Sequence, residues 1–334
     1  MATELSKIAK QVYIAHRHGA TILPRWVNDR PVDHVRTYRK YCILQLMSKY
    51  TPGLWEKTMN HVISGLQHKI YDLKPEWRFT PAPSIANQRP LVSDDLVARL
   101  TDGSVISTHG LEEVIDSTTV QTSDGQQYEV DAILFCTGFS VDYSVAGTDS
   151  DPTRATTKDW KMSSGANGRP LPRLYQNIFS LDHPNSLAFM GNLSFMNPAF
   201  FMFDLAAMAV AQLWKGNAAF PPQAEMERVV DEHHAWVCHL SARGSVMPAI
   251  VKASDWMDWV NDVAGTNLGR YLGYGIAGWK FWLKDREFCR VLMDGLLSPH
   301  AYRLFPGKRK EWSGARKAII AMEKDREARF GPME

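Results

Sequence analysis

The chain has 334 residues, 45% hydrophobic and 22% charged, which is typical of a folded globular protein large enough for two domains. Its 38 basic residues nearly balance its 36 acidic ones, and the formal net charge of +2 excludes a strong overall attraction to nucleic acid or to an anionic membrane. We therefore expect a small-molecule partner, with no nucleic acid and no membrane.

Cysteine usage and the apolar segments indicate a cytoplasmic protein. The four cysteines are far apart and form no C-x-x-C pair, which excludes a zinc ribbon and favours free thiols in a reducing compartment. The N-terminus lacks the apolar core of a signal peptide. The longest apolar stretch, 198–214, contains Asp204 and falls short of the roughly 20 residues that span a membrane. We interpret it as a buried helix.

The chain begins with a helix that leads directly into a strand. In ATELSKIAK, Leu5, Ile8 and Ala9 share one helical face, and the apolar-rich segment QVYIAHR follows at once. A helix leading directly into a strand is the back half of a βαβ unit. We expect the front half, with its strand and glycine turn, to lie before Met1.

Residues 31–77 are predicted to be helical and to include two helices. The first runs over 33–49, a TPG break follows at 51–53, and the second runs over 54–71. A proline-rich connector, TPAPSIANQRP, comes next.

From Leu100 the sequence period changes to two, which predicts a β-meander. Turns at Asp102-Gly103 and Asp124-Gly125 separate short strands. The meander leads into the apolar run 132–135, which we predict to be a strand buried on both faces.

Beyond Gly138 a polar linker precedes a second apolar region. There SLAFMG predicts a buried strand, and 198–215 predicts a helix with Pro198 near its first turn. The last third is predicted to be mostly helical.

Three stretches occur in order over most of the chain: VDAILFCTGFSVDYS at 130–144, LYQNIFSLDHPNSLAFMG at 174–191 and SPHAYRLFPGKRKEWSGARKAI at 298–319. Together they resemble the flavin-containing monooxygenases, which oxygenate soft nucleophiles with FAD, NADPH and O2. The first is similar to the strand D-x-[IV]-[IV]-x-[AC]-T-G-[FY] of that family. The stretch at 174–191 resembles the return of the chain to the flavin domain, and the third is similar to the C-terminal segment of the family.

The resemblance places Thr137 and Gly138 beside a cofactor. After the predicted strand, a Thr-Gly pair lets the backbone turn close to a ligand without a Cβ in the way. The alternative is a buried strand closed by an ordinary turn.

Arg17 is the candidate residue for NADPH. It follows the first predicted strand of this chain, where a dinucleotide ribose sits, and a guanidinium there selects a 2′-phosphate. The alternative is a solvated loop arginine. His16 and His18 are weaker candidates for the same role.

Gly191 and Asn192, followed by the predicted helix, resemble the flavin-side turn of the family. A helix N-terminus near the flavin pyrimidine would stabilise negative charge on the reduced ring. The alternative is a connection within the core.

Two further patterns are interpreted as coincidental. GYGIAG, at 273–278, fits G-x-G-x-x-G, but it follows AGTNLGRYL instead of an apolar strand. His234 and Cys238 lie four residues apart on a predicted helix. No set of further ligands with suitable spacing completes a metal site around them, so we expect no metal.

We therefore expect an α/β, partial two-dinucleotide-binding-domain flavoprotein fold with a helical insertion and a β-meander. Residues 1–140 would be the remainder of an NADPH-binding domain, and 141–334 the C-terminal part of a FAD-binding domain. By resemblance, FAD and NADPH serve a monooxygenase that inserts one atom of O2 into a small organic substrate, by N- or S-oxygenation, including natural-product tailoring.

Two alternatives stay open beside this interpretation. One is a Baeyer-Villiger monooxygenase. The other is a non-catalytic remnant that binds a ligand or a partner, because the glycine-rich loops of the family are absent from these residues. In the enzymatic interpretation, a longer parent chain or a second polypeptide supplies those loops. No catalytic residue is assigned.

Overall fold

The computed structural model describes residues 1–138, 141–195 and 199–332. The strands in these residues are β1 (Val12–Ala15), β2 (Ile22–Leu23), β3 (Trp26–Val27), β4 (Arg30–Pro31), β5 (Leu91–Val92), β6 (Val105–Thr108), β7 (Leu111–Val114), β8 (Thr119–Thr122), β9 (Gln127–Glu129), β10 (Leu174–Tyr175) and β11 (Phe179–Ser180). The helices are α1 (Ala2–Leu5), α2 (Tyr38–Tyr50), α3 (Pro52–Ile70), α4 (Leu96–Thr101), α5 (Lys158–Met162), α6 (Ala199–Trp214), α7 (Gln223–Ser241), α8 (Ala253–Ala264), α9 (Leu268–Leu272), α10 (Ile276–Lys284), α11 (Arg286–Asp294) and α12 (Ala315–Phe330).

These elements form a mixed helix-and-strand fold with two compact units. Unit 1 comprises Met1–Asn28 and Glu56–Ser140, and unit 2 comprises Asp29–Trp55 and Val141–Glu334. The assignment of residues 1–140 to NADPH and of 141–334 to FAD stays a prediction.

Unit 1 is built on the parallel pair β1 and β6. The register runs from Val12 opposite Val105 to Ala15 opposite Thr108, so both strands end at the same edge. Alternate residues of the pair enter a small core with α4 and the turn around Trp77. The predicted N-terminal helix is confirmed only in part, because α1 is a single turn.

The predicted meander is confirmed as the antiparallel sheet β7, β8 and β9. Asp124-Gly125 forms the turn between β8 and β9 as predicted, with Gly125 at a φ of 81°. The prediction that Asp102-Gly103 separates two strands is wrong, because this turn, with Gly103 at a φ of 80°, connects α4 to β6. Only glycine adopts this conformation without strain from a Cβ atom.

The prediction of a buried strand at 132–135 is wrong. These residues form no strand, and Ile133, Leu134 and Phe135 are 41%, 53% and 77% exposed. A parallel strand exists only where a neighbour accepts its backbone hydrogen bonds. Among the described residues, β1 and β6 pair only with each other, and residues 132–135 pair with neither of them.

The helices of the N-terminal half confirm the sequence pattern. A 3-10 turn at Val32–Val35 precedes α2, whose N-cap Thr37 accepts a hydrogen bond from the Lys40 backbone N–H at 3.2 Å. Thr51 ends α2, and α3 begins at Pro52, where proline needs no hydrogen-bond partner for nitrogen.

Unit 2 is a helical layer around α6. This apolar helix packs along α8, and with α7, α11 and the turn Pro299–Arg303 it surrounds one hydrophobic core. The predicted helix is confirmed as α6, while Pro198 lies outside the described residues. The predicted strand SLAFMG is wrong: only Ala188 forms an isolated bridge, with Phe179 of β11.

Candidate nucleotide and flavin sites

A pocket of about 300 Å³ lies in unit 1, where β1 ends. It is lined by His16, Arg17, His18, Gly19, Arg78, Thr80 and Pro81. In α/β folds, ligands bind at the carboxyl ends of parallel strands, so this pocket lies where a nucleotide is expected.

The loop after β1 is held tightly against the backbone at 79–81. Ala20 donates its N–H to the Phe79 carbonyl at 3.1 Å. A Cβ atom on Gly19 would lie 2.2 Å from that oxygen and 2.3 Å from the carbonyl oxygen of Pro81. Glycine is therefore required here for close approach.

His16 holds this loop in place. Its Nε2 lies 2.8 Å from Ser107 Oγ and 3.2 Å from the Trp77 carbonyl, and its Nδ1 lies 3.0 Å from the His18 carbonyl. Its ring stacks on Phe79 with centroids 4.9 Å apart. Burial lowers the pKa of His16 below its usual value, which favours the neutral ring.

The cationic character of the pocket comes from two arginines. Arg17 is exposed and Arg78 is half-buried, and both line the pocket. Within residues 1–138, 141–195 and 199–332, neither guanidinium forms an ion pair with a carboxylate. The pocket therefore presents uncompensated positive charge to a ligand.

The second candidate site surrounds Asn192 in unit 2. Asn192 is 8% exposed, and its Oδ1 accepts a hydrogen bond of 3.2 Å from the hydroxyl of Tyr143. Its Nδ2 is fully buried and has no hydrogen-bond partner among residues 1–138, 141–195 and 199–332. Burial raises the pKa of Tyr143 to about 12, so the phenol stays protonated and can donate this hydrogen bond.

Gly191 lets the backbone turn next to the Asn192 amide. Its φ is 107°, a conformation in which other residues are strained, and a Cβ atom there would meet no atom within 4 Å. The open space next to Gly191 and the unpaired donor of Asn192 together fit a ligand with a hydrogen-bond acceptor.

Thr137 and Gly138 lie on the exposed segment of unit 1. Gly138 has a φ of 96° with open space around its Cα, which agrees with a tight turn. Their contact with a cofactor stays a prediction.

Sequence reasoning missed Arg78 and Tyr143. Tyr143 belongs to the stretch quoted for the family, so its aromatic ring was available as a signal. Arg78 had no local signal, because only tertiary structure brings the turn after Trp77 to the end of β1.

The interpretation of GYGIAG as a coincidence is confirmed. It connects α9 to α10, so helices and not a strand precede and follow the turn. Its glycines serve packing: a Cβ atom on Gly278 would lie 1.8 Å from the Gly273 carbonyl oxygen.

We expect Gly278→Ala to lower the free energy of unfolding of unit 2 by about 2 kcal/mol or more. The added Cβ atom would overlap the Gly273 carbonyl oxygen, so the backbone would have to move. Gly275→Ala is the matched control, since a Cβ atom at Gly275 meets nothing within 4 Å. Urea denaturation of both variants checks this, and equal effects would contradict the packing role.

The His234 and Cys238 pattern belongs to the packing of α7. His234 is buried, with its Nε2 3.0 Å from the Pro172 carbonyl, and Cys238 lies 4.0 Å from the Thr157 hydroxyl. In the described part of the chain, no three His, Cys, Asp or Glu side chains form a group that could hold a metal.

None of the helices in the described residues combines the length and apolar character that crossing a bilayer requires.

The parallel strand pair of unit 1 and the helical layer of unit 2 define a mixed helix-and-strand protein. The chain belongs to the flavin-binding monooxygenase-like family, whose model matches residues 1–331. This confirms the resemblance that the three sequence stretches indicate.

Individual relatives agree with the family. The chain is 71% identical over 334 residues to Monooxygenase aurF of Gibberella zeae, covering 100% of this chain and 63% of that protein. It is 27% identical to Flavin-containing monooxygenase 3 of Oryctolagus cuniculus and 26% identical to Flavin-containing monooxygenase 5 of Homo sapiens. These matches cover 96% and 97% of this chain and 54% and 55% of the relatives. The chain thus spans between 54% and 63% of the length of these relatives.

Proposed function

We propose that this chain is the cofactor-contacting part of a FAD- and NADPH-dependent monooxygenase that inserts one oxygen atom of O2 into a small organic substrate. Family membership over residues 1–331 and 71% identity to a monooxygenase support the reaction class. When bound, FAD supplies the redox and oxygen-activating chemistry.

The observation that carries the proposal is the unpaired amide of Asn192. A buried N–H without an acceptor destabilises the protein by about 1–3 kcal/mol, and such groups are rare in native structures. A flavin ring offers carbonyl oxygens and ring nitrogens as acceptors. Asn192 would donate to one of them while Tyr143 holds the other end of the amide.

Gly191 would allow the backbone to approach the ring edge, because no side chain occupies the space beside it. A donor beside the ring stabilises negative charge as it develops on reduction. The role of these residues is therefore to orient the cofactor and stabilise charge, with no proton transfer assigned to them.

On the NADPH side, we propose that Arg17 binds the 2′-phosphate. Its guanidinium lines a pocket at the end of β1 and has no carboxylate partner in the described residues. Thr137 and Gly138 are proposed to line the cofactor from the same unit.

The substrate atom distinguishes the enzyme alternatives. N- or S-oxygenation, in cytoplasmic natural-product tailoring, is the function we propose, and the relative aurF is named only as a monooxygenase. A Baeyer-Villiger reaction would instead give an ester from a ketone, so analysis of products by mass spectrometry separates the two.

The first test is a titration of the 334-residue chain with FAD, followed by quenching of flavin fluorescence. We expect saturable binding of one FAD per chain. Asn192→Ala should weaken binding about tenfold, because it removes the donor that FAD satisfies. Asn185→Ala is the matched control, since Asn185 is exposed on a turn of the same unit.

Equal affinity in the Asn192→Ala and Asn185→Ala variants would contradict the proposed contact. Absence of any binding by the parent chain would overturn the proposal that these residues hold FAD by themselves. It would favour either the non-catalytic remnant or a site completed by a longer parent chain or second polypeptide.

A further inference from the structure

We infer that Arg78 is the second guanidinium of the proposed 2′-phosphate site and shares with Arg17 the discrimination of NADPH from NADH. This inference rests on the proposed function of the pocket in unit 1. It adds a residue that lies far from Arg17 in the sequence and belongs to a different structural element.

The backbone around Arg78 is firmly placed. Arg78 follows the 3-10 turn Pro75–Trp77 and has a φ of 57°, in the left-handed region. Its neighbours Trp77 and Phe79 are 6% and 4% exposed and belong to the core of unit 1. Two buried aromatic side chains therefore fix the position from which the Arg78 side chain extends.

The guanidinium itself is anchored at the carboxyl edge of the strand pair. Its Nη2 donates a hydrogen bond to the carbonyl of Thr108, the last residue of β6. A guanidinium carries five N–H donors, and this bond uses one. Arg78 is thus held in place with donors left for a ligand.

Arg17 approaches the same pocket in a different way. It lies on the loop after β1, is exposed, and forms no hydrogen bond through its side chain to any described residue. One arginine is therefore preorganised, and the other becomes ordered only when it meets a ligand.

Charge decides which ligand fits. Two guanidinium groups that line one pocket repel each other, and no carboxylate in the described residues forms an ion pair with either. A phosphomonoester carries about −1.5 to −2 charges at neutral pH, so it matches two cations and not one. The ribose of NADH has an uncharged 2′-hydroxyl and would leave both guanidiniums without a counterion.

The test uses adenosine 2′,5′-bisphosphate and adenosine 5′-monophosphate as probes of the 334-residue chain. Calorimetry gives both affinities, and the phosphorus NMR signal of the 2′-phosphate reports its contact with a cation. The variants are Arg17→Gln, Arg78→Gln and Arg78→Lys. Lys10→Gln is the matched control, because Lys10 is exposed in the same unit and does not line the pocket.

We expect the parent chain to prefer the bisphosphate and each Arg→Gln change to reduce that preference about tenfold to a hundredfold. In the Arg→Gln variants, the phosphorus chemical shift of the 2′-phosphate should move toward its value in the unbound probe. The preference of Arg78→Lys should lie between those of the parent chain and Arg78→Gln, because lysine keeps the charge but lacks the planar guanidinium. Lys10→Gln should leave the preference unchanged.

Other outcomes overturn the inference in distinguishable ways. Loss of preference in Arg17→Gln with full preference in Arg78→Gln would refute the role of Arg78 and leave the proposed site intact. A parent chain without preference would refute the phosphate site itself. An equal loss for both probes in Arg78→Gln would assign Arg78 a purely structural role.

Discussion

Replacing Gly19 with alanine is expected to disrupt the pocket of unit 1 and to lower its free energy of unfolding by about 2–4 kcal/mol. The added Cβ atom would lie 2.2 Å and 2.3 Å from two carbonyl oxygens, of Phe79 and Pro81, and backbone atoms cannot rotate away as a side chain can. Separating the two segments would also break the hydrogen bond from Ala20 to Phe79.

Gly110→Ala is the matched control for this change. Gly110 follows β6 in the same unit, and a Cβ atom there would lie 3.9 Å from the Arg17 side chain, an ordinary contact. Thermal unfolding followed by circular dichroism and binding of adenosine 2′,5′-bisphosphate should both fall in Gly19→Ala and persist in Gly110→Ala. If Gly19→Ala keeps the stability and affinity of the parent chain, the two segments are not in close contact.

The sequence predicts the elements whose causes are local. The helices α2 and α3 follow from their composition and from the Thr51 to Gly53 break, and the pairing of β8 with β9 follows from the Asp124-Gly125 turn. In each case, the residues that make the element also contain the signal that ends it.

The predictions from the sequence fail where an element depends on residues that are distant in the chain. The run 132–135 has the composition of a buried strand, but a strand also needs neighbours for its backbone, and composition does not reveal whether they exist. SLAFMG fails for the same reason, since only Ala188 finds a bridge partner.

The residues of the candidate sites show the same difference between local and distant causes. Arg17 and Asn192 stand beside strand and turn signals and could be proposed from the sequence. Their partners Arg78 and Tyr143 contribute through tertiary contacts that no spacing rule encodes. In both sites, an indicated residue is completed by an unindicated one, which is why the sequence locates a site more reliably than it identifies its members.

Unit 2 is expected to lose stability steeply on acidification because α7 carries two adjacent imidazoles, of which His234 is buried and His233 is half-buried. Burial, together with the nearby His234 and the cation of Lys252, lowers the pKa of His233 to about 3. His233 Nε2 and His234 Nδ1 are buried and have no hydrogen-bond partner in the part of the chain that the structure describes. Burial also lowers the pKa of His234, against the opposing effect of its bond to the Pro172 carbonyl.

The direction of the effect follows from proton uptake. Both imidazoles are neutral in the folded chain, so above pH 6.5, the usual pKa, they add no pH dependence. Below it, the unfolded chain binds a proton at His233 that the folded chain does not bind, and stability falls by about 1.4 kcal/mol per pH unit for this histidine. Between pH 6.5 and about pH 5, one such histidine therefore destabilises unit 2 by ~2 kcal/mol.

Urea denaturation between about pH 7 and about pH 5 measures this loss. His233→Leu should reduce the decline by about one proton, because leucine fills the buried space and cannot be protonated. His239→Gln, which removes an exposed imidazole from the same helix, should decline like the parent chain. If His233→Leu retains the full decline, the His233 ring is accessible to water, and the acid sensitivity must come from His234 or from groups outside α7.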